Sequence, residues 1–208
     1  MALGYTVEAD SDDIDRALTL FKFVKGNTTN ATRIAINKSG PPIKTESSKQ
    51  IRAQVRLKAK YVGDRLKFTK ATSAKLEGRI VTPSRGILLT RYSTDSRISG
   101  DRQSWIRPPE IPARGIKVKV KPSGPVKTLS NSWFYMILPN SRALAIARRT
   151  GVTNPKTGKS KIDVAYGPSL SQVFSEVKDD VLPFAKKRYE SELIKAMNRV
   201  LSLQYPTE

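Results

Sequence analysis

Cysteine and histidine are both absent from the 208 residues of this chain. Their absence excludes thiol nucleophiles, disulfides, zinc sites built from these residues, and any imidazole base. Long apolar runs are missing too, since the longest, 133–138, is far shorter than the ~20 residues that span a bilayer. The first residues also lack the basic and apolar segments of a signal peptide. We expect a protein that is soluble where it is made, with no membrane among its partners.

Acidic side chains, which serve metal sites and acid–base catalysis, are scarce in the middle of the chain. Residues 71–168 contain five, which are Glu77, Asp95, Asp101, Glu110 and Asp163. No two of them are spaced as a metal-binding or catalytic pair. Adjacent Ser48 and Lys49 fall on a predicted helix, where neighbouring side chains point apart. The sequence therefore predicts no catalytic residue, no metal, no cofactor and no enzymatic activity.

One segment shares letters with a nucleotide-binding motif. Residues 151–160 (GVTNPKTGKS) end in Gly-Lys-Ser like a phosphate-binding P-loop, but that motif needs a glycine where Thr153 stands. It also needs a following helix whose amides meet the phosphate, whereas strand-like sequence follows here. We interpret the segment as a hairpin loop, because Asn154-Pro155 and Thr157-Gly158 favour turns.

Positive charge is the most unusual property of the chain, at +20 with 38 Lys and Arg against 18 Asp and Glu. Residues 1–15 hold five acidic and no basic residues, and residues 169–208 hold six of each. The excess lies between them, with 13 basic and two acidic residues in 22–70 and 18 against five in 71–168. An excess of this size indicates a polyanionic environment, either nucleic acid or an acidic protein surface.

Apolar spacings of three and four predict helices before residue 66. The first covers 12–38, with an interruption at Gly26 and a stop at Gly-Pro-Pro, 40–42. A second helix covers 45–55, and a turn and a short further helix follow within 56–66.

A basic helix, turn and helix over 44–66 have the order of a DNA-binding helix-turn-helix. Any short helical hairpin has the same order, so a solvated basic face is the simpler interpretation. The residues that would face DNA or another polyanion in this segment are Arg52, Arg56, Lys58 and Lys60.

From Leu66 onward the apolar period changes to two, which predicts strands. The strand-like segments are 66–71, 75–81, 86–92, 115–122, 132–140, 143–151 and 161–167. Segment 132–140 is apolar almost throughout and is predicted to be a central, buried strand. With helices before and after, the pattern predicts an α+β fold: N-terminal helices, a mostly antiparallel twisted sheet, and a long C-terminal helix packed on it.

Two features of this region have both a binding and a structural interpretation. Lys117, Lys119 and Lys121 share one strand face, either as a positive ridge towards a polyanion or as protection of a sheet edge. Residues 93–115 form a long loop rich in Ser, Gly, Pro and Arg. Trp105 within this loop is either a partner contact or folds back onto the core.

The stretch 165–174, AYGPSLSQVF, is predicted to join the last strand to the C-terminal helix. Gly167 permits an unusual backbone angle and Pro168 fixes the turn. Ser169 and Gln172 fit a capping box, in which each side chain satisfies a backbone amide of the other residue. A bound anion at the helix amides is an alternative, but the joint alone explains these residues.

The C-terminal helix is expected over 169–205. Phe174 belongs to the apolar face with which it begins, and the apolar period continues towards the end of the chain. Pro183 is expected to kink this helix or split it in two.

The order of these segments resembles that of the minor tail protein Z family, tail completion proteins of long-tailed bacteriophages and prophages. The resemblance is carried by NATRIAINKSG (30–40), IRAQVRLKAKYVGDRL (51–66), LKFTKATSAKLEGRI (66–80), ILLTRY (87–92), WFYMIL (133–138), ALAIARRTG (143–151) and GPSLSQVF (167–174). They follow the family order over 28–205, whereas the acidic start and the 96–115 loop match nothing in it.

The resemblance implies a structural virion protein that acts at the head-proximal end of the tail, helps to join head and tail, and positions DNA. It implies a ring, with six copies because tails have six-fold symmetry. The implied neighbours are tail terminator, tail tube or head–tail connector proteins, with genomic DNA in the channel as a further partner. The protein would lie in the tail or neck of the virion, and in the host cytoplasm during assembly.

The alternative is a basic DNA-binding protein that uses segment 44–66. For either function we expect a single α+β domain over 1–208. Residues 1–66 are mainly helical, 66–166 are mainly strands with the 93–115 loop, and 169–205 form the C-terminal helix.

Overall fold

The computed structural model describes residues 11–99, 105–153, 155 and 158–204, with side chains described in these ranges from residue 26 to 200 and at 202. The helices are α1 (Ser11–Gln54), α2 (Ala59–Arg65), α3 (Ser96–Ser99) and α4 (Leu170–Gln204), with a 3-10 helix at Leu89–Tyr92. The strands are β1 (Lys67–Thr69), β2 (Arg79–Val81), β3 (Gly86–Leu88), β4 (Lys117–Val118), β5 (Lys127–Thr128), β6 (Trp133–Ile137), β7 (Leu144–Thr153), β8 (Ser160–Val164) and β9 (Tyr166–Ser169). These elements confirm the predicted α+β class.

The chain divides into two compact units. The first takes Met1–Pro42, Phe68–Arg79 and Phe184–Glu208, and the second takes Ile43–Lys67 and Ile80–Pro183. Helices α1 and α4 supply residues to each unit, and in both helices the division follows a proline. The expectation of a single domain stays a prediction.

Helix α1 does not stop where the sequence predicted. It continues through Pro41 and Pro42, so the stop at 40–42 and the separate second helix are wrong, and Gly26 does not interrupt it. Proline holds φ near the helical value, and its cost is a lost hydrogen bond and a clash with the preceding turn. Burial offsets that cost on both sides of the prolines, since Ala35 and Ile51 are fully buried.

In the described part of the first unit, side chains form hydrogen bonds, close packing contacts and ion pairs. The amide of Asn37 donates to the carbonyl of Ala71 at 3.0 Å and accepts from the N–H of Ala71 at 2.8 Å. Gly40 faces the ring of Phe68 so closely that a side chain at this position would clash with it. In α4, Glu192 is buried beside Arg188 and Lys195, at 3.1 and 3.4 Å.

The second unit has two apolar clusters. The first joins Ile51 and Val55 of α1, Val62 and Leu66, Ile87, Tyr92, and Leu170, Val173 and Val177 of α4. The second contains Ile98, Ile116, Val118, Tyr135, Leu144 and Ile146. Helix α4 remains one helix through Pro183, so the predicted split does not occur.

The strands form several small sheets rather than one large sheet. They are β1–β2, β3–β9, β4–β5 and the three-stranded β6–β7–β8, and the pairings with a defined register are antiparallel. The prediction that 132–140 forms a central strand is wrong, because β6 lies at an edge and β7 is central. An apolar run reports burial, here against the second cluster, and it does not report position within a sheet.

Two other predicted segments differ in detail. Segment 86–92 is a strand only to Leu88, after which the 3-10 helix turns the chain, with Thr90 Oγ1 donating to the Leu144 carbonyl at 2.9 Å. Part of the 93–115 loop is helical, as α3, and 100–104 lie outside the described residues.

The 151–160 segment joins β7 to β8, with Thr153 opposite Ser160, as predicted for a hairpin. A strand follows it, where a P-loop needs a helix. Residues 154, 156 and 157 lie outside the described residues. Within the described part of the chain, no helix is long and apolar enough to cross a membrane.

Candidate anion-binding groove

The predicted helix, turn and helix of 44–66 are present as the end of α1, four connecting residues and α2. Arg56, Lys58 and Lys60 are exposed. Arg52 is only half-exposed, and its Nε atom is buried without a hydrogen-bond partner among the described residues. Order and exposure suit either a polyanion contact or a solvated face, so a role for these residues stays a prediction.

The fold brings this segment to the predicted lysine strand. The backbone N–H of Arg56 donates to the Val120 carbonyl at 2.7 Å, between Lys119 and Lys121. The Arg56 guanidinium donates to the Ser93 carbonyl at 3.0 Å. Strand β4 is only two residues long, and the exposure of its lysines is uneven, because Lys121 is exposed whereas Lys117 and Lys119 are half-buried.

The joint between β9 and α4 has the hydrogen bonds of a capping box. The Ser169 N–H donates to Gln172 Oε1 at 2.9 Å, and the Gln172 N–H donates to Ser169 Oγ at 3.1 Å. The Ser171 N–H donates to the Pro83 carbonyl at 3.3 Å. These amides of the first turn are satisfied within the chain, so they do not favour the alternative of an anion bound at the helix start.

Tyr92 packs beneath the same joint. Its ring fills the space beside Gly167, and its hydroxyl donates to the Pro168 carbonyl at 3.4 Å. Phe174 packs half-buried against the first apolar cluster. Burial raises the pKa of the Tyr92 phenol well above its ordinary value, with a smaller contribution from Tyr61.

Trp105 packs against the protein and is not fully exposed to solvent. Its side chain is half-buried against the second apolar cluster, and its backbone N–H donates to the Arg142 carbonyl at 3.2 Å. The structural interpretation of this tryptophan is therefore supported, and a partner contact stays a prediction.

A groove of about 310 Å³ opens in the second unit beside this joint. Its walls come from α2, the 83–91 segment, the β6–β7 turn, and the meeting point of β9 and α4. The polar and aromatic side chains that line it include Tyr61, Arg65, Arg85, Arg91 and Tyr166. None of the described residues that line it is acidic.

Two arginines of the groove are held on one tyrosine. The guanidinium of Arg65 lies 3.7 Å from the centre of the Tyr61 ring, and that of Arg91 lies 4.9 Å from it. Arg65 also donates to the Tyr61 carbonyl at 3.4 Å. Cation–π contacts of this kind restrict the side chains without neutralising their charge.

Several cations elsewhere in the protein have a carboxylate partner. Glu77 binds Lys75 at 3.1 Å and Arg79 at 2.8 Å, and hydrogen bonds from these two side chains lower the pKa of Glu77. Arg97 binds Asp95 at 2.9 Å and lowers the pKa of that carboxyl. The lining of the groove contains three arginines and, among the described residues, no acidic side chain.

No local pattern in the sequence marks this groove. Its arginines and tyrosines are spread over more than a hundred positions and follow no motif. Arg65 and Tyr61 lie in the predicted 44–66 segment, but other residues of that segment were expected to bind. The one sequence feature that anticipated it was the general excess of basic residues between positions 22 and 168.

The described residues offer no set of three or more His, Cys, Asp or Glu side chains that could hold a metal ion. No curated protein and no solved structure matches the chain. A family model for prophage minor tail protein Z (GPZ) matches residues 14–205 and thus covers most of the chain. The proteins of this family are structural components of phage tails. The chain therefore belongs to the prophage minor tail protein Z family.

Proposed function

We propose that this protein is a tail completion or neck component at the head-proximal end of a long phage tail. There it helps to join the head to the tail and to position the DNA. Family membership is the observation that carries the tail role. The net charge of +20 supports the finer location, because a protein beside the DNA channel meets a dense array of phosphates.

The distribution of charge within the second unit fits this role. Arg56, Lys119 and Lys121 lie on neighbouring backbone segments, and the arginine groove lies in the same unit. Basic residues that face DNA hold it through its backbone without reading its sequence. That property suits a protein that handles whichever sequence lies at the end of a packaged genome.

In the proposed assembly several copies form a ring, six in number to match tail symmetry. Its neighbours are tail terminator, tail tube or head–tail connector proteins, and DNA passes through or ends in the channel. Closed rings use head-to-tail interfaces, in which two different surfaces of one chain meet. The protein carries out this role in the virion, after assembly in the host cytoplasm.

The test is a phage or prophage in which this gene is deleted. Electron microscopy is expected to show tails and filled heads that fail to join, or joined particles that do not infect. Supplying the intact gene from a plasmid should restore infectious particles. Normal infectious particles in the absence of the protein would refute the proposal.

The alternative function, a basic DNA-binding protein that uses segment 44–66, has one observation in its favour. Tyr61 and Arg65 of that segment line the groove. This alternative predicts salt-dependent DNA binding by the isolated protein together with normal particles in the deletion strain. The two functions are therefore distinguished by the particles, whether or not the isolated protein binds DNA.

A further inference from the structure

We propose that the groove lined by Tyr61, Arg65, Arg85, Arg91 and Tyr166 binds one nucleotide of a single-stranded DNA segment. The arginines hold its phosphate, and the ring of Tyr166 stacks on its base. The inference deepens the proposed function, on which it rests for the identity of the polyanion. It assigns the contact to residues other than the basic residues picked out in the sequence.

The phosphate end of the site follows from the arginines. A guanidinium presents its donors in a planar fork that matches two oxygens of a phosphate. Stacking on Tyr61 holds Arg65 and Arg91 in defined places, so less side-chain entropy is lost when an anion binds. Arg85 is exposed at the same groove and is available as a third donor group.

The base end of the site follows from Tyr166. Its side chain is 44% exposed at the groove, although its backbone is fixed opposite Leu88 in the β3–β9 pair. A fixed strand that presents an exposed ring is the platform on which bases of single-stranded nucleic acid stack. A base within a duplex is already stacked on its neighbours, so the site requires an unpaired nucleotide.

The same observations favour a nucleotide over an acidic protein segment. Carboxylates could also bind the arginines, but they would make no use of the exposed ring of Tyr166. The groove volume lies at the lower end of the ~300–1,000 Å³ that small-ligand sites occupy, which suits a single nucleotide. Neighbouring nucleotides can then pass out of the open groove.

The test measures the affinity for a labelled single-stranded oligonucleotide by fluorescence anisotropy. The oligonucleotide is about 4–16 nucleotides long, the range that single-strand-binding folds cover. Arg85→Gln is expected to weaken binding about tenfold or more, because charge-assisted contacts to phosphate are strong. It should also lower the slope of log affinity against log salt by about 0.7, the value of one phosphate contact on a single strand. Arg149→Gln removes the same charge from an exposed site on β7 and should change affinity less than about twofold.

Stacking is tested separately. Tyr166→Ala is expected to weaken binding about five- to a hundredfold, whereas Tyr166→Phe keeps the ring and should bind as the unchanged protein does. With an oligonucleotide whose bases are replaced by abasic sites, Tyr166→Ala should cause no further loss. Melting temperatures check that the variants fold. Abasic DNA tests stacking with the unchanged protein, and Tyr166→Phe keeps the ring, so neither measurement depends on a destabilised variant.

Three results would overturn the inference. One is an equal loss of affinity in Arg85→Gln and Arg149→Gln, which would mean that binding depends only on the overall positive charge of the protein. Another is equal affinity for abasic and normal strands. The third is displacement by polyglutamate at lower concentrations than by unlabelled oligonucleotide, which would make the groove a site for an acidic protein segment. Each leaves the tail-completion role intact, because that role is decided by the particles of the deletion strain.

Discussion

The two ends of strand β9 show opposite ways of using polar and aromatic residues. At its C-terminal end, Gly167 and Ser169 are enclosed by the Tyr92 ring and the capping box. At its N-terminal end, Tyr166 is exposed beside a groove with three arginines and no acidic lining residue. One end is satisfied within the chain, whereas the other offers positive charge and an aromatic ring to a ligand. Stability should therefore depend on the first end and binding on the second.

The largest expected effect tests the enclosed end. Gly167→Ala should lower the free energy of unfolding by about 1–3 kcal/mol, because overpacking a rigid site forces neighbours to move. The new Cβ would lie 2.5 Å from Cε2 of Tyr92, whose ring is fully buried and has little room to retreat. Chemical denaturation of the two proteins measures the difference.

Gly63→Ala is the matched control, since nothing lies within 4 Å of a Cβ added to this glycine of α2. That change should stabilise the protein by about 0.5–1 kcal/mol, because alanine favours a helix more than glycine does. Equal effects of the two substitutions would mean that Tyr92 does not enclose the joint.

The next effect depends on pH. Because the pKa of the Tyr92 phenol is raised by burial, the folded protein keeps this proton at a pH where the unfolded chain loses it. The contribution of this retained proton to the free energy of unfolding is complete below pH ~10, the ordinary pKa of tyrosine. Above that pH it falls by about 1.4 kcal/mol per pH unit. Tyr92→Phe should lose stability less steeply than the unchanged protein between about pH 10 and 11. Parallel curves of unfolding free energy against pH would refute the buried, protonated state of Tyr92.

Removal of the cap should have a smaller effect. Ser169→Ala is expected to cost about 1 kcal/mol, since the Gln172 amide loses its acceptor at the start of α4. Ser171→Ala is the control, because the hydrogen bond of that residue to Pro83 uses its backbone and survives the change. An unchanged melting temperature in Ser169→Ala, equal to that of the control, would mean that the cap does not hold the helix start.

Local sequence patterns predicted local structure well in this protein. The capping box, the 151–160 hairpin and the short helix after residue 56 each depend on residues a few positions apart. The stop at 40–42 failed although its signal was local, because burial along α1 outweighed the preference of Gly-Pro-Pro for a break. A sequence shows which face of a helix or strand is apolar. It does not show whether packing will offset the cost of a proline inside the helix.

The groove lay beyond prediction for a different reason. Arg65, Arg85 and Tyr166 become neighbours only when α2, β3 and β9 are placed together, and no pattern in the sequence records that placement. The charge excess predicted a polyanion partner without saying where it binds. Within the 44–66 segment the sequence predicts contacts at Arg52, Arg56, Lys58 and Lys60, whereas the residues that line the groove are Tyr61 and Arg65.

The smallest expected effect separates the two ends of β9 most sharply. Arg85→Gln should change the free energy of unfolding by less than about 0.5 kcal/mol, as is usual for an exposed residue outside the core. Removing one of three neighbouring positive charges can even stabilise the fold slightly, because the repulsion among Arg65, Arg85 and Arg91 decreases. Thermal unfolding at low and high salt measures this, and any gain should shrink as salt screens the charges. A loss above about 1 kcal/mol would show that Arg85 holds the structure together, and the groove would then be a structural feature like the joint beside it.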